Sequence, residues 1–137
     1  MMFASKEEEI NYYEHKASEA EYLVWYKEQN HAKYEKPSVT VDMVLMCYDK
    51  LNDQLKILLI QRKGNPYRNS WALPGGFVEP NESTAKSVIR ETKEETGMEI
   101  SAFNIEQLHT FSRPDRDPRG WVITVSYLAF IGEEPVV

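Results

Sequence analysis

Residues 71–97 constrain this chain more than any other stretch. Trp71-Ala72-Leu73-Pro74-Gly75-Gly76-Phe77 is a run that no regular element is expected to hold. Pro74 followed by two glycines asks for unusual backbone angles and admits close approach to a ligand. A helix is predicted next, over residues 83 to about 96, stopped by Gly97 in the usual C-terminal position. On that helix each residue advances roughly 100°, so Glu94 and Glu95 lie on either side of Glu91 and all three face one way. Like charges at these spacings destabilise a helix by about 0.2–0.5 kcal/mol per pair. A solvated face would interleave lysines there, and Lys93 points elsewhere. Any two glutamates are commonly plain acidic surface; that reading weakens beside a Gly-Gly turn and a further acid, Glu82, just upstream. Clustered carboxylates suit a hard dication. Mg²⁺ takes a few carboxylate oxygens, keeps its waters and coordinates phosphate oxygens, and it can activate a water for attack at phosphorus. Metal-assisted phosphoanhydride hydrolysis is the chemistry these residues suggest.

The remainder of the 137 residues sets limits. The length suits one domain with a real core. A formal charge of −6 argues against a broad basic face for nucleic acid, so none is expected to be bound by this chain itself. Cys47 is the only cysteine, which excludes an internal disulfide. In the apolar run Val41–Tyr48 it reads as a buried small hydrophobe. Lys6 to Glu9 are not the start of a signal peptide, and no apolar run approaches spanning length. A cytoplasmic protein without a membrane partner is expected. His15, His31 and His109 show no ligand spacing and read as surface or structural.

Residues 5 to about 30 contain no Pro or Gly, and Ile10, Tyr13, Ala17, Ala20 and Val24 recur at helical spacing. One amphipathic helix is predicted, rich in aromatics (Tyr12, Tyr22, Trp25, Tyr26). Docking on its own domain is favoured over a homodimer interface, and both stay open. Residues 1–36 thus form a helical extension and residues 37–137 the main domain. Val39–Tyr48 and Leu55–Gln61 read as strands joined by turn chemistry at Asp49–Gln54. Beyond the helix come a β-region around Ile100–Ser112, a charged loop Arg113–Arg119 and a strand Trp121–Ile131.

Gly76, Glu82, Arg90-Glu91, Glu94-Glu95, Gly97 and Met98 together resemble the Nudix box, G-x5-E-x7-R-E-U-x-E-E-x-G-U with U a bulky apolar residue. All glycine, arginine and glutamate positions match; Thr92 stands where an apolar residue is expected, and its methyl can still pack. The resemblance implies an α+β Nudix fold, an α/β/α sandwich with a mixed curved β-sheet. It implies Mg²⁺ as cofactor, with Mn²⁺ as an alternative. Glu91 and Glu95 would be the principal metal ligands, Glu94 a ligand or supporting group, and the Gly75 carbonyl a further ligand. Glu82 would support the site, and Arg90 would orient the glutamates by ion pairing.

Outside the box, Pro114 lies sixteen residues past Met98, and Arg-Asp-Pro-Arg-Gly (116–120) precedes a strand. Both are similar to the ADP-ribose pyrophosphatase branch, which implies ADP-ribose cleaved to AMP and ribose 5-phosphate. Arg62, Arg116 and Arg119 could offer forked donors to phosphate; alternatively Asp115 and Asp117 simply pair with these arginines in a surface loop. Pro37–Val44, Gln61–Asn65 and the Arg-Asp-Pro-Arg-Gly-Trp run (116–121) also resemble the ligand-sensing domain of Nudix-related transcriptional regulators of NAD and sugar metabolism, which carry a C-terminal winged helix. Degraded boxes are common there, and the intact acids here favour an enzyme. A MutT-type nucleoside triphosphate hydrolase shares the box but lacks the Arg113–Gly120 signature. Nudix domains usually continue past Gly132–Val137 with a strand and a helix. A truncated C-terminus, with a missing winged-helix domain or an exposed sheet that pairs two copies, is therefore an expectation. Trp71 and Phe77 are expected to pack the glycine turn, with adenine stacking as the alternative.

Overall fold

The computed structural model describes residues 2–29 and 35–133, so His31 lies outside the described residues. The chain divides into two compact units, Met1–Glu35 and Lys36–Val137.

The first unit corrects the expectation of one continuous helix. It holds two, α1 (Lys6–His15) and α2 (Glu19–Glu28). The amides of Lys16 and Ala17 both reach the Tyr12 carbonyl, at 2.8 and 2.9 Å, and so close α1. Ser18 is extended and caps α2, its Oγ accepting from the Glu21 amide at 3.2 Å. A serine cap with a glutamate three residues on is a helix start, and here it outweighs the helical spacing that runs across it. Tyr13 stacks on Trp25 with centroids 4.7 Å apart and planes 6° from parallel.

The second unit is built on strand β1 (Ser38–Asp49). Its apolar residues alternate, so Val41, Met43, Leu45 and Cys47 point to one buried face. Around it lie β2 (Gln54–Ile57), β3 (Ile60–Gln61), β4 (Trp71–Ala72), β5 (Gly75–Phe77), α3 (Thr84–Thr96), β6 (Ile105–Phe111) and β7 (Val122–Glu133). The main sheet runs β2-β1-β7-β6, with β5 also on β1. The β1–β7 pair is parallel and the others are antiparallel, so the sheet is mixed, as expected. Val88 of α3 closes the core with Val41, Met43, Leu45, Ile100, Tyr127 and Ala129. Among the described residues, no helix is long and apolar enough to cross a membrane.

Two strand expectations need correction. Leu55–Gln61 is not one strand: after Ile57 the chain leaves the main sheet, and β3 pairs β4 in a small separate ribbon. The run Trp71–Phe77 does hold regular structure, β4 and β5, with Pro74 between them. Nor do Gly75 and Gly76 need unusual torsions, because the positive-φ glycines are Gly97, Gly120 and Gly132. Their demand is space. A Cβ on Gly75 would lie 2.0 Å from the Val41 carbonyl oxygen, and one on Gly76 would lie 2.6 Å from the Glu91 carboxylate carbon.

Helix α3 begins and ends as its sequence dictates. Ser83 caps it by accepting from the Lys86 amide at 3.1 Å, and Gly97 closes it in the left-handed region at φ 77°. Thr92 is fully buried, and its hydroxyl donates to the Val88 carbonyl at 2.7 Å. A threonine therefore replaces the apolar residue without leaving a buried polar atom unpaired.

Candidate functional site

Arg90 is the hub of the site. Its Nε and one terminal nitrogen donate to the two Glu82 oxygens at 2.7 and 2.9 Å. That fork-on-fork geometry is the strong form of the ion pair, and it pulls Glu82 down to about pH 2 in pKa. The other terminal nitrogen donates to Glu91 at 2.9 Å and Glu94 at 3.2 Å. A further bond reaches the Phe77 carbonyl at 3.2 Å. One side chain thus ties α3 to the loop before it and to β5. Lys93 is turned away and pairs with Glu99 at 2.7 Å.

Glu95 stands one turn beyond Glu91. The Gly75 amide donates to it at 3.2 Å. Burial pushes its pKa up; the Gly75 amide and the Arg62 charge oppose this, while the charges of Glu91 and Glu94 add to it. Two carboxylates on one face, Glu91 against the bare Cα of Gly76 and Glu95 against the amide of Gly75, form a negative cradle that a cation would relieve. Among the described residues, no three His, Cys, Asp or Glu side chains converge into a closed metal set. The donors fit an ion of the Mg²⁺ kind, which binds through one or two carboxylates and takes its other ligands from water and phosphate.

Two cavities meet at this cradle. One, about 370 Å³, is lined by Thr40, Asp42, Gly75, Phe77, Arg116 and Arg119 among others; the second, about 610 Å³, by Gln61, Lys63, Gly64 and Glu94. Ile60, Arg62 and Glu95 border both. Arg62 spends its Nε on the Pro66 carbonyl at 2.6 Å. Arg119 is committed to Asp117 by bonds of 3.0 and 2.8 Å, which lowers the Asp117 pKa to about 2, and its guanidinium lies over the Phe77 ring at 4.8 Å. Arg113 pairs with Asp115 at 2.8 Å, both exposed. Of the carboxylate pairings expected, that of Asp117 is realised at Arg119, while Asp115 pairs with Arg113 instead. Arg116 makes one long bond, 3.4 Å to the Val122 carbonyl.

A NUDIX domain model matches residues 36–136. The chain belongs to the NUDIX family. It is 46% identical over 95 residues to an ADP-ribose pyrophosphatase of Methanocaldococcus jannaschii, covering 69% of this chain and 52% of that one. It is 40% identical over 117 residues to the ADPR responsive transcriptional repressor NtrR of Acinetobacter baylyi, covering 84% and 44%. The crystal structure of a MutT/nudix family protein from Enterococcus faecalis superposes with a TM-score of 0.91 at 74% identity, covering 99% of this chain and 52% of that one. The chain spans about half the length of the curated relatives it matches.

Within the Nudix box, the structure brings Glu82, Arg90, Glu91 and Glu94 into one ion-pair network and sets Glu95 beside Gly75. Trp71 departs from expectation: it is 66% exposed and does not pack the turn. Sequence reasoning missed Asp42, which lines the first cavity. Burial raises its pKa, and nearby Arg116 lowers it. An acid inside the otherwise apolar run Val41–Tyr48 was the available signal. It also missed Thr40 and Thr124, whose hydroxyls bond to each other across β1 and β7 at the cavity wall.

Proposed function

We propose that this chain hydrolyses a nucleoside diphosphate linked to a second moiety with Mg²⁺ or Mn²⁺, the substrate being ADP-ribose, cleaved to AMP and ribose 5-phosphate. The observation that carries this reading is the position of Glu95 at the junction of two cavities, beside Glu91 and Arg62. A diphosphate lying across the junction would leave one substituent in each cavity. Glu91 and Glu95, with the Gly75 carbonyl, would hold the cation, and Glu94 would ligate or support it. When bound, the cation neutralises phosphate charge and lowers the pKa of a water. Arg90 positions Glu91 and Glu94, and Glu82 positions Arg90. Arg62 and Arg116 offer donors to phosphate oxygens; Arg119 shapes the wall through Asp117 and Phe77. The similarity to an ADP-ribose pyrophosphatase supports the substrate.

Glu95→Gln in the full chain should remove Mg²⁺-dependent release of AMP from ADP-ribose by at least about a hundredfold, with the melting temperature kept. Unchanged turnover would refute the metal assignment. A second reading, a ligand-sensing domain of a regulator, is favoured by the likeness to an ADPR responsive repressor. ADP-ribose binding by calorimetry without turnover of any nucleoside diphosphate compound would select it.

A further inference from the structure

The first cavity contains a charged group that the Nudix box does not account for. Asp42 lies on β1, opposite Ser126 of β7 and Gly75 of β5. Its Oδ1 sits where a Cβ on Gly75 would come within 2.7 Å, so the glycine leaves room for the carboxylate as well as for the strand. Among the described residues, Asp42 accepts no side-chain hydrogen bond; the charge of Arg116 acts on it but stops short of an ion pair. Several other polar groups of this wall are occupied. Thr40 and Thr124 bond to each other, and Arg119 is held by Asp117. Beside Glu95, which the proposed cation engages, Asp42 is thus an acceptor in this cavity with its capacity unspent, and a half-buried acceptor without a donor is unfavourable until a ligand supplies one.

We propose that Asp42 is a specificity-determining residue that accepts hydrogen bonds from the hydroxyl groups of a substrate sugar. An ionised carboxylate offers only acceptors and repels phosphate, so it selects neutral donors next to the diphosphate. The wall includes the hydroxyls of Thr40 and Thr124, the guanidinium groups of Arg116 and Arg119 and a few aliphatic side chains, with Phe77 as the sole ring among the lining residues. That suits a sugar better than a base, which would seek stacking surfaces. The inference rests on the proposed diphosphate substrate and adds which part of it is read.

The test is a pair of affinity ratios, measured by calorimetry in EDTA so that no phosphoanhydride is turned over. For the full chain and for Asp42→Ala and Asp42→Asn, ADP-ribose is compared with ADP, and ADP with 2′-deoxy-ADP. Each ratio comes from one sample, so a partly unfolded variant does not distort it. In the wild type the ligand with the extra hydroxyls should bind more tightly. Asp42→Ala should cut one ratio by about ten- to a hundredfold, with Asp42→Asn intermediate. Collapse of the first ratio identifies the distal ribose, and collapse of the second the adenosine ribose. Both ratios surviving in Asp42→Ala, or neither preference existing in the wild type, would overturn the inference. Loss of the hydrolase reading looks different: no turnover with Mg²⁺, yet the same Asp42-dependent ratios in EDTA.

Discussion

At the scale of single residues, adjacent glycines do different work. A side chain on Gly75 would strike the Val41 backbone at 2.0 Å, which cannot yield without parting β1 from β5. A side chain on Gly76 would strike the Glu91 carboxylate, the movable end of a long side chain. Gly75→Ala should therefore destabilise the fold by about 3 kcal/mol or more, at the top of the overpacking range, read as a urea midpoint. Gly76→Ala should shift that midpoint little and reduce turnover strongly, because it evicts Glu91 from its cradle. Equal stability losses in the two variants would refute this division. The importance of both glycines was legible in the sequence, and its cause was not. Proximity to Val41 and Glu91 is a fact of strand pairing and helix placement, whereas Pro-Gly-Gly by itself suggests torsions. Asp42 was obscured for the same reason: its meaning depends on which face of β1 meets the cavity.

Elements were legible where their ends carry local chemistry. Helix α3 has a serine cap and a glycine stop, and both positions follow from the sequence. The β1–β2 turn is similar. Asp49 accepts from the amides of Leu51 and Asn52 at 3.1 and 3.4 Å, from the Asn52 side chain at 2.7 Å and from Lys56 at 3.0 Å. These bonds, the Asn52 side chain first, lower its pKa to about 2 from 3.8. A depressed carboxylate stabilises the fold above its ordinary pKa and loses that contribution as pH falls through its folded value. Asp49→Asn should thus lower the melting temperature by several degrees at pH 7, and the gap to wild type should close as the pH is taken toward 2. A gap independent of pH would place the effect in packing rather than charge. Elements were illegible where no punctuation marks a break. Ile57-Leu58-Leu59-Ile60 is apolar throughout, and only the pairing of β3 with β4 reveals that the chain changes sheets. The break before Ser18 was marked by Ser-x-x-Glu, a signal masked by continuous helical spacing.

At the scale of the molecule, each unit has its own interior. The core of the larger unit comes wholly from residues between Val41 and Ile131, and Trp25 is buried within the smaller. Removal of residues 1–35 should leave a cooperative thermal transition in the remainder, followed by circular dichroism. A broad, non-cooperative melt would show that the core is incomplete without them. The helices α1 and α2 span ten residues each, below the length at which isolated helices persist. The main strand has a consequence of another kind. Odd-numbered residues of β1 from Val41 to Cys47 fill the core, while Thr40 and Asp42 face the cavity. A slip of one residue against β7 would carry a carboxylate inward and methionine outward. Interior and workplace are two sides of one ruler, so a misaligned molecule is unstable and chemically mute together. Under the proposed hydrolysis, turnover would then serve as a count of correctly assembled molecules.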